Sequence, residues 1–143
     1  METHDLAVIN ITASETTVIV GSPVNITVAI QNQGSFGETF DVYLYCNETY
    51  LSSQSAYVPA WASINLTFTW DTTGFSEGNY TLRAEVTQAT GETDTGDNIL
   101  SLTEQPVTII PEFPSMLILP AFMLATLVAL AICKRKRPDF SRE

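Results

Sequence analysis

Through its first 115 residues this chain of 143 carries a single cation, Arg83, against 14 Asp and Glu, a net of −13. Nucleic-acid surfaces need clustered Lys and Arg to displace phosphate counterions, so that class of function is excluded and no nucleic-acid partner is expected. Histidine is equally scarce. His4 is the only one, near a terminus expected to fray, and no Ser or Cys has a base beside it in sequence. The first ten residues, METHDLAVIN, lack both a basic n-region and an apolar h-region, so no signal peptide is legible. The expectation is a trimmed mature chain with an added or retained Met1, or the C-terminal piece of a longer surface protein. Long apolar runs are missing too, with one exception.

That exception is Met116 to Cys133, 18 residues without a charge and with Thr126 as the only hydroxyl. As a helix it reaches roughly 27 Å, just enough for a hydrocarbon core of about 30 Å. Lys134, Arg135, Lys136 and Arg137 follow at once, and cations beside a span stay on the cytoplasmic side. The expectation is a single-pass cell-membrane protein in contact with lipid, its N-terminal domain extracellular and its C-terminus cytoplasmic. The competing reading is a buried core helix with a basic tail, but nothing else in the chain has the surface to bury a helix apolar all round. The two cysteines, Cys46 and Cys133, then lie on opposite sides of the bilayer and do not pair. Cys46 reads as a small buried hydrophobe.

Between these ends the sequence alternates with a period of two. Val24, Ile26, Val28 and Ile30 alternate with Asn25, Thr27, Ala29 and Gln31; similar runs cover 40–46, 64–70 and 80–86. Weaker strands fall near 6–12, 50–58 and 99–109. Turn signals separate them, at Gly21-Ser22-Pro23, Gln33-Gly34-Ser35, Gly74 to Gly78 and Gly91 to Gly96. Seven short strands, each with one apolar face, predict an all-β fold, a seven-stranded immunoglobulin-like antiparallel β-sandwich over residues 1–109, followed by the C-terminal helix. Three prolines between Pro106 and Pro114 predict that the sheet ends there and that 110–115 form a stiff spacer, followed by the span at 116–133 and the tail at 134–143.

Five of the seven asparagines, Asn10, Asn25, Asn47, Asn65 and Asn79, stand in N-x-T sequons. Chance at this Ser and Thr content gives roughly 1.7. Asn and Thr both suit polar strand faces, which inflates coincidence, yet the strand parity places these asparagines opposite the apolar face or, for Asn47, in a turn. Glycans fit only on such outward positions. Multiple N-glycosylation is expected.

Glu92, Asp94 and Asp97 in the loop from Gly91 to Asn98 offer oxygen ligands to Ca²⁺, but their spacing is not that of an EF-hand, and a solvated hairpin loop is the plainer reading; no other cofactor and no other metal is expected. Tyr43 and Tyr45 point away from the core face, with Tyr57 and Trp61 as neighbours, and either anchor a partner or pack against the next strand. Carboxylates alone can form a glycosidase pair, but about 110 residues committed to a sandwich leave no deep cleft for one. No catalytic residue is assigned and no enzyme is expected.

The series Asp5-Leu6-Ala7-Val8, Gly21-x-x-Val24-x-Ile26, Asn32-Gln33-Gly34, Val42-Tyr43-Leu44-Tyr45, Phe68-Thr69-Trp70, Gly78-x-Tyr80-x-Leu82 and Gly91-Glu92-Thr93-Asp94-x-x-Asp97-Asn98 resembles the CARDB family over about residues 5–109. That family is the cell-adhesion-related, immunoglobulin-like domain of prokaryotic surface proteins. The resemblance implies a seven-stranded sandwich used in adhesion, spacing or envelope architecture, and no catalytic residues. Pro111-Glu112-Phe113-Pro114-Ser115, then the span and basic cluster, is similar to an archaeal Pro-Glu-Phe sorting tail. It implies an archaeosortase as a partner, which would remove the tail and attach lipid. The expected function is a non-enzymatic cell-surface glycoprotein module in adhesion or envelope structure, with other surface proteins, glycans or copies of itself as partners. Two alternatives stay open: the anchor and spacer end of a larger secreted enzyme or binding protein, and a filament subunit that exchanges strands.

Overall fold

The computed structural model describes residues 2–113. The expected helix at 116–133, the basic cluster Lys134 to Arg137, and Pro114 and Ser115 lie outside the described residues. Among the described residues no helix is long and apolar enough to cross a membrane. The chain divides into a compact unit over Met1–Pro111 and a second over Glu112–Glu143, of which only Glu112 and Phe113 are described.

The described residues are all-β. Eight strands follow in order: β1 (Leu6–Ala13), β2 (Thr17–Ile19), β3 (Pro23–Asn32), β4 (Glu38–Cys46), β5 (Thr49–Val58), β6 (Ser63–Asp71), β7 (Gly78–Val86) and β8 (Ile99–Ile110). They form a three-stranded sheet, β1-β3-β6, and a five-stranded sheet, β2-β8-β7-β4-β5. The expected seven strands become eight because Thr17–Ile19 pairs with Thr108–Ile110. That pair is parallel, so the sandwich is not purely antiparallel as expected. Three residues show no alternation long enough to read, and their place is set by a partner about 90 positions on.

The period of two is what makes two sheets bury one core. Val24, Ile26, Val28 and Ile30 of β3 and Phe68 and Trp70 of β6 face Val42, Leu44 and Cys46 of β4 and Leu82 and Ala84 of β7 in one buried cluster. Each such large side chain contributes about 1.5–3 kcal/mol by leaving water. Cys46 is fully buried as a small hydrophobe, and burial pushes its thiol up to about 11.

Three register shifts interrupt the ladders; one falls between Leu44 and Tyr45 in the β4–β5 pair, and the other two bear on the sequence reading. The β1–β3 register shifts between Val8 and Asn10, so Ile9 bulges out and is 47% exposed. The second lies in β8, which contains Pro106. The β7–β8 register jumps from Leu82↔Leu102 to Tyr80↔Val107, and Pro106 sits in the segment that the jump leaves without ladder partners on β7. A proline costs no ladder bond there, and β8 runs on to Ile110.

Three buried polar side chains close the loops. Asn32 donates through Nδ2 to the carbonyls of Phe36 (2.6 Å) and Val58 (3.3 Å) and accepts from the Gly34 N–H (2.9 Å). Thr72 accepts from the Gly21 N–H and donates to the Ser22 carbonyl. Glu92 performs the third closure, at the loop end.

Candidate functional site

The outer face of the three-stranded sheet gathers three of the five sequons. Asn10, Ala29 and Asn65 form one cross-strand row through their pairings, and Thr12, Thr27 and Thr67 form the next. Asn25 pairs with Thr69 in a neighbouring row. The three threonines that complete the sequons therefore stand side by side, with the Thr27 and Thr67 hydroxyls 3.4 Å apart. Thr69 donates its hydroxyl to Asn25 Oδ1 at 3.0 Å, which leaves Nδ2, the atom that carries a glycan, free of that bond. Asn10, Asn25 and Asn65 are all exposed, and Asp71 is the only charge on this face of β3 and β6.

Asn47 and Asn79 are exposed as well, but their amides are engaged. Asn47 sits in the β4–β5 turn with φ 44°, donates through Nδ2 to the Asn79 carbonyl at 3.0 Å and accepts from the Thr81 N–H at 2.8 Å. Asn79 Oδ1 accepts from the Thr108 hydroxyl at 2.7 Å.

The five-stranded sheet shows a different outer face. Tyr45 stands between Arg83 and Tyr50, and Tyr43 between Glu85 and Ser53. The Arg83 guanidinium lies 4.1 Å from the Tyr45 ring centre and pairs with Glu85 (2.9 Å) and Glu48 (3.0 Å). Tyr43 and Tyr45 also pack on Tyr50, with centroids 6.5 and 6.0 Å away. Both are only half-exposed. Tyr50, Tyr57 and Trp61 are more exposed, Trp61 most of the three at 69%. Trp61 takes φ 60°, a conformation that a bulky side chain rarely adopts.

At one end of the sandwich lie the residues before β1 and the β3–β4, β5–β6 and β7–β8 loops, because Leu6 pairs with Asn32, Gln31 with Ser63, Glu38 with Val58 and Glu85 with Ile99. His4 is not frayed: it stacks on Phe36 with centroids 4.7 Å apart, and its Nδ1 meets Glu38 Oε1 at 2.5 Å.

The loop acids do not act as one set. Glu92 is buried, and its carboxylate accepts three N–H bonds: from Leu6 at 2.7 Å, Ala89 at 2.8 Å and Asn98 Nδ2 at 3.0 Å. It ties the start of β1 to the loop before β8, with both of its oxygens engaged in that role. Among the described residues Glu92, Asp94 and Asp97 do not form a group placed to hold a metal ion. Sequence reasoning missed Asp5 and Asn98, because their approach depends on pairings about 90 residues apart. Burial, and then Asp97, Glu92 and Asp94, push the Asp5 carboxyl above its ordinary range. Burial, then Asp94, do the same to Asp97, with Glu92 adding a smaller push. Among the described residues no group of three Asp, Glu, His or Cys side chains is placed to hold a metal ion.

An open cleft of about 310 Å³ lies on the other end, lined by Tyr50, Leu51, Thr69, Trp70, Asp71 and Phe75. Of the sorting residues, Pro111, Glu112 and Phe113 are described and exposed.

The family profile described as CARDB matches residues 3–101. The CARDB domain of a Pyrococcus furiosus protein, crystallised in complex with di-metal ions, is 26% identical with a TM-score of 0.65, over 78% of this chain and 98% of that one. A domain of a Methanosarcina acetivorans protein, provisionally described as a cell-surface protein, is 24% identical with a TM-score of 0.59, over 76% and 93%. A β-glucosidase from Erythrobacter marinus shares the fold over 75% of this chain and 16% of its own length, at 11% identity and a TM-score of 0.60. No curated protein matches the chain in sequence.

Proposed function

This chain belongs to the CARDB family, and we propose from that premise a non-enzymatic, N-glycosylated, immunoglobulin-like module of the cell surface, serving adhesion or envelope structure. The observation that carries the reading is the exposure of all five sequon asparagines, three of them on one sheet face where Asp71 is the single charge. A sugar layer there covers surface with little charge to bury. Residues 116–133 anchor the module in the membrane, Lys134 to Arg137 hold the tail in the cytoplasm, and Pro111 to Ser115 mark the point at which an archaeosortase cuts. Partners, whether other surface proteins, glycans or further copies, approach the loop end that carries Trp61. The intact mass of protein extracted from its own membranes tests this. The reading requires added sugar mass in steps, with a tail either present or removed after Ser115. A bare polypeptide recovered from the soluble fraction would overturn it.

A second reading has one observation in its favour, the use of the same fold as a small part of a much longer β-glucosidase. In it the chain is the anchor and spacer end of a larger secreted enzyme. An open reading frame running upstream of Met1 into another domain decides for it, and a signal peptide directly upstream decides against.

A further inference from the structure

We propose that the loop end is a calcium site built from the side-chain oxygens of Asp5, Asp97 and Asn98. Asp5 Oδ1, Asp97 Oδ1 and Asn98 Oδ1 have no accessible surface and no hydrogen-bond partner. Three of the five such atoms among the described residues thus fall within one stretch of the fold, and all three are acceptors. Asn98 is 4% exposed, and its Nδ2 is committed to Glu92, so the remaining orphan is the amide oxygen. The three residues surround the same staple. Asp5 precedes Leu6, whose N–H binds Glu92 Oε1; Asp97 accepts the Val8 N–H through its carbonyl at 2.8 Å; Asn98 holds Oε2. The bonds that stitch β1 to the loop use up the donors and leave the oxygens.

Buried acceptors without donors call for a cation or for protons. The cation is not supplied by the described residues themselves: Arg83 is engaged by Glu48 and Glu85 on the five-stranded face, and His4 meets Glu38. The donor set is oxygen only, which selects a hard ion, and a partial set of this kind suits the adaptable coordination of Ca²⁺ better than the strict octahedron of Mg²⁺. Two carboxylates and an amide do not form the three-acid group that the fold lacks, and water and main-chain carbonyls complete such sites. So low a charge count belongs with weak extracellular sites, with a Kd of about 10⁻⁴–10⁻³ M. The linear pattern pointed to Glu92; folding removes Glu92 and substitutes Asp5 and Asn98.

The test is a CaCl2 titration of the full chain in detergent at pH 7, read by melting temperature and by calorimetry, against EDTA and against MgCl2 and NaCl at equal ionic strength. The site predicts saturable binding and a rise in Tm of about 5 °C at about ten times Kd. The isosteric variants Asp5→Asn and Asp97→Asn should lose that rise while melting higher than wild type in EDTA, since each removes a repelled charge. A misfolded variant would melt lower, so the two signatures are distinct. Asp71→Asn, on the other end, should keep the full response. The proposal is overturned if calcium does no more than the salt controls, or if the Asp5→Asn/Asp97→Asn double variant still responds. Absence of response with higher melting of the variants in EDTA would mean that the pair holds a shared proton in place of the ion.

Discussion

The two outer faces of the sandwich are built from the same alternation and do opposite things with it. The three-stranded face repeats amides and hydroxyls, with Asn10, Asn25, Asn65 and their threonines in adjacent rows. The five-stranded face locks its charges and rings together, with Arg83 held by Glu48, Glu85 and Tyr45. On the first, an asparagine amide can be substituted without disturbing a network, since Asn25 contributes only an acceptor. On the second sheet the Asn47 amide is structural, bridging Thr81 and Asn79, while Asn79, like Asn25, contributes an acceptor alone. A sequon is therefore more than a tripeptide: what the amide already does in the fold sets what glycosylation costs.

The strongest way to erase the comparison is through the core that both faces share. Phe68→Ala empties a fully buried position and should lower stability by about 3–5 kcal/mol, measured by denaturant unfolding. Next is the loop end. Asn32→Ala leaves the Gly34 N–H and two carbonyls without their partner and should cost about 2–3 kcal/mol in the same assay.

A pH profile separates the loop end from both faces. Asp5 and Asp97 have raised values in the fold, so between the ordinary 3.8 and those higher values the unfolded chain has lost protons that the native state still holds. Their contribution to stability is therefore fully present in acid, falls as pH rises through that window, and is gone above it. Melting in EDTA should show this fall, and Asp5→Asn should flatten it. The smallest effect sharpens the comparison itself. Asn47→Gln should cost about 1 kcal/mol by breaking two bonds, whereas Asn25→Gln should stay within about 0.5 kcal/mol, in unglycosylated protein measured by thermal melting.

Much of this was legible in the residues. Strands β3, β4, β6 and β7 follow their alternation, and the same parity places Asn25, Asn65 and Asn79 outward. The misses share a cause. Ile9 lies where a register shifts, and β2 exists only because β8 lies beside it. Glu92 looked like a surface ligand because its hydrophilic neighbours surround it in sequence, yet its partner Leu6 is 86 positions away. Local pattern reports which face a residue takes, and it does not report which distant donor comes to meet it. The anchor expected at 116–133 and the tail beyond lie outside the described residues.

Site-resolved glycan occupancy on protein from its native membrane tests the central claim most directly. A surface module that carries its sugars on the three-stranded face predicts glycopeptides at Asn10, Asn25 and Asn65, with lower occupancy at Asn47, whose amide is already bound. Unmodified peptides at all five positions would contradict it.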